Sequence, residues 1–470
     1  MPPRFAPEAP PGQSTGVRNS ALKRQPIVAF FVALAVLLTP ALLFAHAHLL
    51  RSSPAAHASL ATPPAGLSLW FSEKPELGLT SIQLADSSGS AVALGKLAAS
   101  DSNGITVPIV GALEAGRYTV TWKTAASDGH ASSGKYDFSV AEGAVSPVVV
   151  DTARPDSAIT HQAISHSLVV TDETPTFSTA MRWAELVALL TAIGLVIFRL
   201  AVLPASGLAP ELVANASTRA VRLGRAVLLL FAITTLSRGL AQASLLPGYI
   251  GTRVNALLVL IQNTHWGLFW AVGAIGVIVA FVGLMFAQKK LAGWIIAALG
   301  LLVVVVSEAL TGHSGTLPRA AASIAADVAH VLGAGGWLGG LAAVLLCGLP
   351  ALRHLDDSKL NDAGGRLVRA YHRSAMECVA VVVLSAIIAV WVRFPSVSSL
   401  WATPYGQALI RKTIFVLVVL GFGFYHWRRV VLPTWTSHTL SRFRRTAIAE
   451  LLFGAVIVAL TAYLIAQPLP

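Results

Sequence analysis

The sequence predicts two dissimilar parts in one chain: a small all-β sandwich over residues 48–143, then an α-helical polytopic membrane bundle of about eight spans over 181–470. Three observations carry this. Charged residues make up only 12% of the 470, against roughly 25% in a soluble domain, which excludes a wholly soluble enzyme. Residues 48–143 alternate apolar and polar side chains in short runs broken by turn signals, the pattern of half-buried strands. From 181 onward the chain is apolar in blocks of about 20 residues, the length that crosses a bilayer.

Taken in order, residues 1–26 are polar and Pro-rich, with Arg4, Arg18, Lys23 and Arg24. An apolar stretch over 27–45, interrupted by Pro40, leads to Ala45-His46-Ala47. A basic region, an apolar region and a small-x-small site form an export signal, so 1–47 is expected to be removed after Ala47, leaving His48 as the first residue. An uncleaved signal anchor is the alternative. LSLWFSE (67–73), TSIQLAD (80–86), GITVPIV (104–110), GRYTVTWKT (116–124) and GKYDFSV (134–140) read as strands. Tyr118, Val120 and Trp122 share one face of theirs and are expected to point into the sandwich core. Residues 144–180, with Pro147, Pro155 and Pro175, show no periodicity and read as a linker. The spans fall at 181–198, 226–246, 266–287, 291–310, 322–350, 374–394, 408–427 and 446–466.

Charge sets the expected orientation. With the sandwich outside, the four inner loops hold 16 Lys and Arg, whereas the outer loops hold Arg253 and Arg319, with Arg393, Arg411 and Lys412 at their borders. That asymmetry places an even number of spans in the membrane and the C-terminus outside. It also accounts for the formal net charge of +12 without nucleic acid, since the basic groups flank spans where anionic lipid head groups lie. The sandwich itself is mildly acidic, with six Lys and Arg against eight acids.

If His48 begins the mature chain, one residue offers an α-amine and an imidazole to a metal. Ser-Asp-Gly-His places Asp128 and His130 in a turn just past a strand, where side chains can converge. Two or three nitrogens with one oxygen suit tetragonal Cu(II); zinc could use the same atoms but prefers a tetrahedron. Only two cysteines occur, Cys347 and Cys378, both in apolar stretches, which excludes a disulfide scaffold and a Cys-based zinc site.

The segments HAHLLRSSPAAHASL, LWFSEKPE and SDGHASSGKYDFSV resemble the periplasmic copper-binding CopC family over 46–140. The resemblance implies a Greek-key sandwich that binds Cu(II) through His48, Asp128 and His130. His57 matches no ligand of that pattern and reads as surface. Some CopC proteins carry a Met-rich Cu(I) site. Residues 48–143 contain no Met, so the soft thioether ligands are missing and a Cu(II)-only domain is expected. SEALTGHSGTLP (307–318), AHVLGAGGWLGGL (329–341), TPYGQALIRKTIF (403–415) and RFRRTAIAELLFGAVIVALTAYL (442–464) resemble the CopD family, which is associated with copper uptake.

Polar residues inside spans are functional candidates. His265, Glu308 and His313 fall at the outer ends of spans three and four, and Asp327 and His330 lie in span five at an i, i+3 spacing that shares a helical face. These five form a candidate copper relay from the sandwich into the membrane. Glu185 and Arg238 are also intramembrane and are expected to pair with each other or with another span. The glycines of GAGGWLGG (333–340) permit close helix packing, with a permeation path beside them as the functional alternative.

No enzyme motif is present: there is no P-loop for ATP-driven pumping, no Gly-x-Ser-x-Gly elbow and no His-Glu-x-x-His helix. The expected function is that of a multi-pass inner-membrane protein that captures Cu(II) in the periplasm and passes copper to or across the membrane. The copper ion, the bilayer and other periplasmic copper proteins are its expected partners. A membrane-anchored copper redox enzyme, a haem-holding bundle, or a copper sensor or storage protein are the alternatives.

Overall fold

The computed structural model describes residues 49–72, 74–100, 103–125, 131–141, 175–244, 252–312, 319–394, 396–428, 435 and 437–465. The predicted signal and nearly all of the predicted linker lie outside them.

The first part is a two-sheet sandwich. The strands are β1 (Leu49–Ser53), β2 (Ser59–Leu60), β3 (Gly66–Phe71), β4 (Ser81–Asp86), β5 (Ala91–Val92), β6 (Ala98–Ala99), β7 (Gly104–Pro108), β8 (Gly116–Ala125) and β9 (Ala131–Val140). One sheet has the order β1-β3-β7-β6 and the other β2-β9-β8-β4-β5, so the chain crosses between sheets repeatedly. All five strands expected from alternation are present. The inward faces meet in one core: Leu67, Leu69 and Phe71 of β3 and Ile105 and Val107 of β7, against Leu84, Tyr118, Val120, Trp122, Tyr136 and Phe138 of the other sheet. Tyr118, Val120 and Trp122 are 5%, 0% and 2% exposed, so the predicted core face is the observed one. Tyr118 stacks on Phe138 at 5.6 Å, and its hydroxyl donates to the Glu114 carbonyl at 2.9 Å, which lets a polar tip lie at the core's edge. His57 is exposed, as expected.

Burial pushes the Tyr136 phenol up to about 12. The folded sandwich therefore prefers the neutral phenol. Its contribution is complete below the ordinary tyrosine value near 10 and is lost as pH rises through the folded value. The isolated sandwich is expected to lose about 3 kcal/mol between these limits. In denaturant titrations Tyr136→Phe should remove most of that alkaline loss; an unchanged loss would place its origin elsewhere.

The second part contains, among the described residues, eight helices long and apolar enough to cross a membrane: α1 (Thr179–Ala205), α2 (Pro210–Ala243), α4 (His265–Phe286), α5 (Leu291–Thr311), α6 (Ala320–Ala351), α7 (Asp357–Arg393), α8 (Pro404–Tyr425) and α9 (His438–Ile465). Each overlaps a predicted span. A further helix, α3 (Arg253–Asn263), lies where the sequence reads as a loop, as does a single turn at Ser399–Ala402. Helix α3 is too short to span, and Thr252 caps it by accepting from the Asn255 N–H at 3.3 Å. Successive spans alternate in direction, so α2 ends, α4 begins, α5 ends, α6 begins, α7 ends and α8 begins at one end of the bundle.

Small residues set the helix spacing. A Cβ on Gly339 of α6 would collide with the Leu190 carbonyl oxygen, and one on Gly194 of α1 would collide with the Gly339 carbonyl carbon. The two backbones touch, as the small-residue rule for membrane helices predicts. The GAGGWLGG stretch is thus filled by packing: Gly339 meets α1, and Gly336 meets Cys378 of α7. Three five-residue segments wind as π-helix, Phe198–Val202 in α1 and Gly335–Gly339 and Val344–Gly348 in α6. Such bulges concentrate at functional sites.

One apolar cluster joins the two parts. Leu79, in a single 3-10 turn (Leu77–Leu79) before β4, is 4% exposed and packs with Ala243, Ala256, Leu257, Leu260, Trp266 and Trp270 of α2, α3 and α4.

Candidate functional site

His48, Asp128, His130 and His313 lie outside the described residues. The strands that carry the first three do not. β1 begins at Leu49, opposite Phe71 at the end of β3. The Phe71 ring meets Trp122 edge-on at 5.1 Å. Trp122 is three residues from Ala125, the end of β8, which pairs with Ala131, the start of β9. Residue 48 is bonded to Leu49, and residues 126–130 join Ala125 to Ala131. Antiparallel register therefore brings the start of β1, the end of β8 and the start of β9 to one end of the sandwich. The Trp122 indole N–H, buried at that end, has no hydrogen-bond partner among the described residues.

In the bundle, the intramembrane carboxylates Glu185, Glu308 and Asp327 are held by arginines. Glu308 of α5 receives Arg182 of α1 at 2.6 Å and Arg238 of α2 at 2.7 Å. Glu185 of α1 receives the same two guanidiniums at 2.8 and 3.4 Å, and Thr235 donates to it at 2.7 Å. Two acids and two bases from three helices form one neutral cluster, with Glu185 only 1% exposed. Both readings of Glu185 and Arg238 hold together: they pair with each other and with another span. The Arg238 guanidinium also lies 5.9 Å over the Trp266 ring, and Trp270 donates its indole N–H to the Thr235 carbonyl at 3.2 Å.

A second group forms where α6, α7 and α8 meet. Arg393 donates to both oxygens of Asp327 at 2.6 Å and reaches the Tyr405 hydroxyl at 3.4 Å. His330 shares a hydrogen bond with the Ser385 hydroxyl at 3.1 Å through Nδ1. Both partners belong to α7, so the i, i+3 pair does present one face to a neighbouring helix. Lys412 of α8 is close enough to interact electrostatically with Asp327, Arg393 and His330. Positive charge beside His330 works against a bare cation there.

The structure thus brings Glu308 and Asp327 into two separate groups, and His265 stays exposed at the start of α4. Among the described residues no three His, Cys, Asp or Glu stand close enough to hold a metal ion. Sequence reasoning passed over Arg182, and it counted Arg393 only as a border charge. It also passed over Glu450 of α9, which is 2% exposed and receives the Trp337 indole N–H at 3.2 Å, while Tyr371 donates to the Trp337 carbonyl at 3.0 Å. A charged residue within an apolar run was the available signal in all three cases.

Residues 49–141 match the CopC domain family, 172–318 the family of the copper resistance protein D-like N-terminal domain, and 365–464 the copper resistance protein D family. Protein YobA of Escherichia coli (strain K12) is 35% identical over 106 residues, covering 22% of this chain and 85% of YobA. The chain belongs to the CopC/CopD copper resistance family. The copper transport protein CutJ of Bacillus subtilis (strain 168) is 26% identical over 437 residues, 89% of this chain and 74% of CutJ. The crystal structure of CopC from Methylosinus trichosporium OB3b is 31% identical over 20% of this chain and 94% of that chain, with a TM-score of 0.20. The sandwich is the CopC part, and the bundle is a CopD-type multi-pass membrane protein. Helix α6, with Asp327, His330 and the π-helical glycines, falls between the two CopD-type matches. A relative made of little but the CopC part, together with a core of its own, makes the sandwich a unit that can be studied alone.

Proposed function

We propose that this chain captures Cu(II) outside the inner membrane and passes copper across it. Residues 1–47 are an export signal cleaved after Ala47, 48–143 are the capture domain, 144–180 are a linker and 181–470 are the membrane carrier, with its C-terminus outside. His48 supplies its α-amine and imidazole, and Asp128 and His130 complete a tetragonal set. The observation that carries this reading is the convergence of the start of β1 and the β8–β9 connection at one end of the sandwich. The absence of Met from 48–143 supports Cu(II) as the captured form. His265, Glu308, His313, Asp327 and His330 are the proposed relay. Both of its carboxylates carry arginine partners, so a metal ion entering there displaces a guanidinium. The membrane helices and the copper transport name of CutJ support carriage over storage.

Two measurements test this. The isolated 48–143 domain should give a tetragonal Cu(II) EPR spectrum that His48→Ala or His130→Ala abolishes; an unchanged spectrum removes the site. Proteoliposomes of the full chain should accumulate copper, with the rate lowered at least tenfold by Asp327→Ala and by His330→Ala. Flux indifferent to both variants rejects the relay.

A further inference from the structure

The end of the sandwich where β1 begins and β8 ends is also the end that carries Leu79. Leu79 precedes β4, whose first residue, Ser81, pairs with Lys123 near the end of β8. Its neighbour Thr80 shares a buried hydrogen bond of 2.7 Å with Thr124, one residue before β8 ends. The turn that carries Leu79 is therefore fixed to the base of the 126–130 connection. Leu79 takes no part in the sandwich core; its apolar neighbours belong to the bundle. Directly past those neighbours lies the charge cluster. Trp266 touches both Leu79's cluster and Arg238, and Arg238 holds Glu308.

We infer that Leu79 is a docking knob that seats the copper-bearing end of the sandwich on the α2–α4 end of the bundle, above the Arg238–Glu308 cluster. The inference rests on the proposed function and adds where the metal is handed over. The occupant of the seat is this chain's own sandwich, on two grounds. Leu79 is the sandwich residue that closes the apolar cluster, and the hydroxyl pair beside it ties the seat to the strand that carries the predicted ligands. A seat closed by one leucine holds the domain in place and still lets it lift, as capture followed by delivery requires.

The test uses the full chain in lipid vesicles, with a protease site inserted in the 144–180 linker. Under mild oxidation Leu79→Cys with Leu257→Cys should keep the two proteolytic fragments joined. Val110→Cys with Leu257→Cys should not, because Val110 is 59% exposed and follows β7 at the opposite end of the sandwich. Equal joining of both pairs, or joining of neither, overturns the seat. Leu79→Asp should leave the Cu(II) EPR spectrum of the isolated sandwich unchanged and lower copper flux at least tenfold. Flux within twofold of the parent overturns the hand-over. If the parent chain moves no copper, the proposed function fails, and the cross-link still decides the seat.

Discussion

Glu185→Ala should be among the most damaging single changes in the bundle, lowering stability by about 3–5 kcal/mol, the range for stranding a buried charge. Glu185 is 1% exposed and lies between Arg182 and Arg238. Its removal leaves two guanidiniums to share the one carboxylate of Glu308, away from water, where an uncompensated charge is costly. The reverse comparison separates charge balance from packing. A double variant, Glu185→Ala with Arg182→Met, restores one acid to one base and should recover much of the loss. Thermal unfolding of the purified protein in detergent measures both. A single variant that melts with the parent would show that the cluster carries no stabilising role.

Gly339→Ala should rival it. One methyl group there would collide with the Leu190 carbonyl oxygen. Backbone on both sides leaves no flexible side chain to give way, so helices α1 and α6 must separate. Overpacking of a close-fitted core costs about 1–3 kcal/mol, occasionally more, and the upper part of that range is expected here. Gly423→Ala in α8 is the control, because nothing lies within 4 Å of its added methyl. That change should be neutral or stabilise by roughly 0.5–1 kcal/mol through lower chain entropy. Equal effects at the two glycines would mean that the α1–α6 contact is looser than its geometry implies.

Much of the architecture was legible from one sequence because burial leaves periodic traces. The alternation of β8 identified its strand and its buried face, and eight apolar blocks identified eight spans. Hydropathy did not reveal where hydrogen bonding continues beyond the apolar core. Helix α2 begins at Pro210 and α7 at Asp357, each well before its predicted span, because both run on as polar helix outside the apolar stretch. Strands β2, β5 and β6 have two residues each, too short to show any period. The intramembrane candidates Glu308, Asp327 and His330 were visible as polar breaks in apolar runs. Their partners were not, since Arg238 lies 70 residues from Glu308 and Arg393 lies 66 from Asp327. Pairing over such distances is a property of helix packing, which composition does not record. The meeting of the start of β1 with the ends of β8 and β9 needed the strand register, which no motif records.

The π-helical segments of α6 carry a consequence in terms of rotation. Each α-helical residue turns the chain by about 100°, and a π-bulge holds one residue more than the regular helix would. Deleting a single residue within Gly335–Gly339 would let that segment relax to α-helix, leaving the faces before and after it close to their present directions. Deleting one between His330 and Gly335 would swing Asp327 and His330 away from α7 relative to Trp337 and everything beyond. The same loss of one residue thus keeps the register of the helix faces at one point and turns them by about 100° a few residues earlier. Helix α6 can change its length without turning its faces only at its bulges.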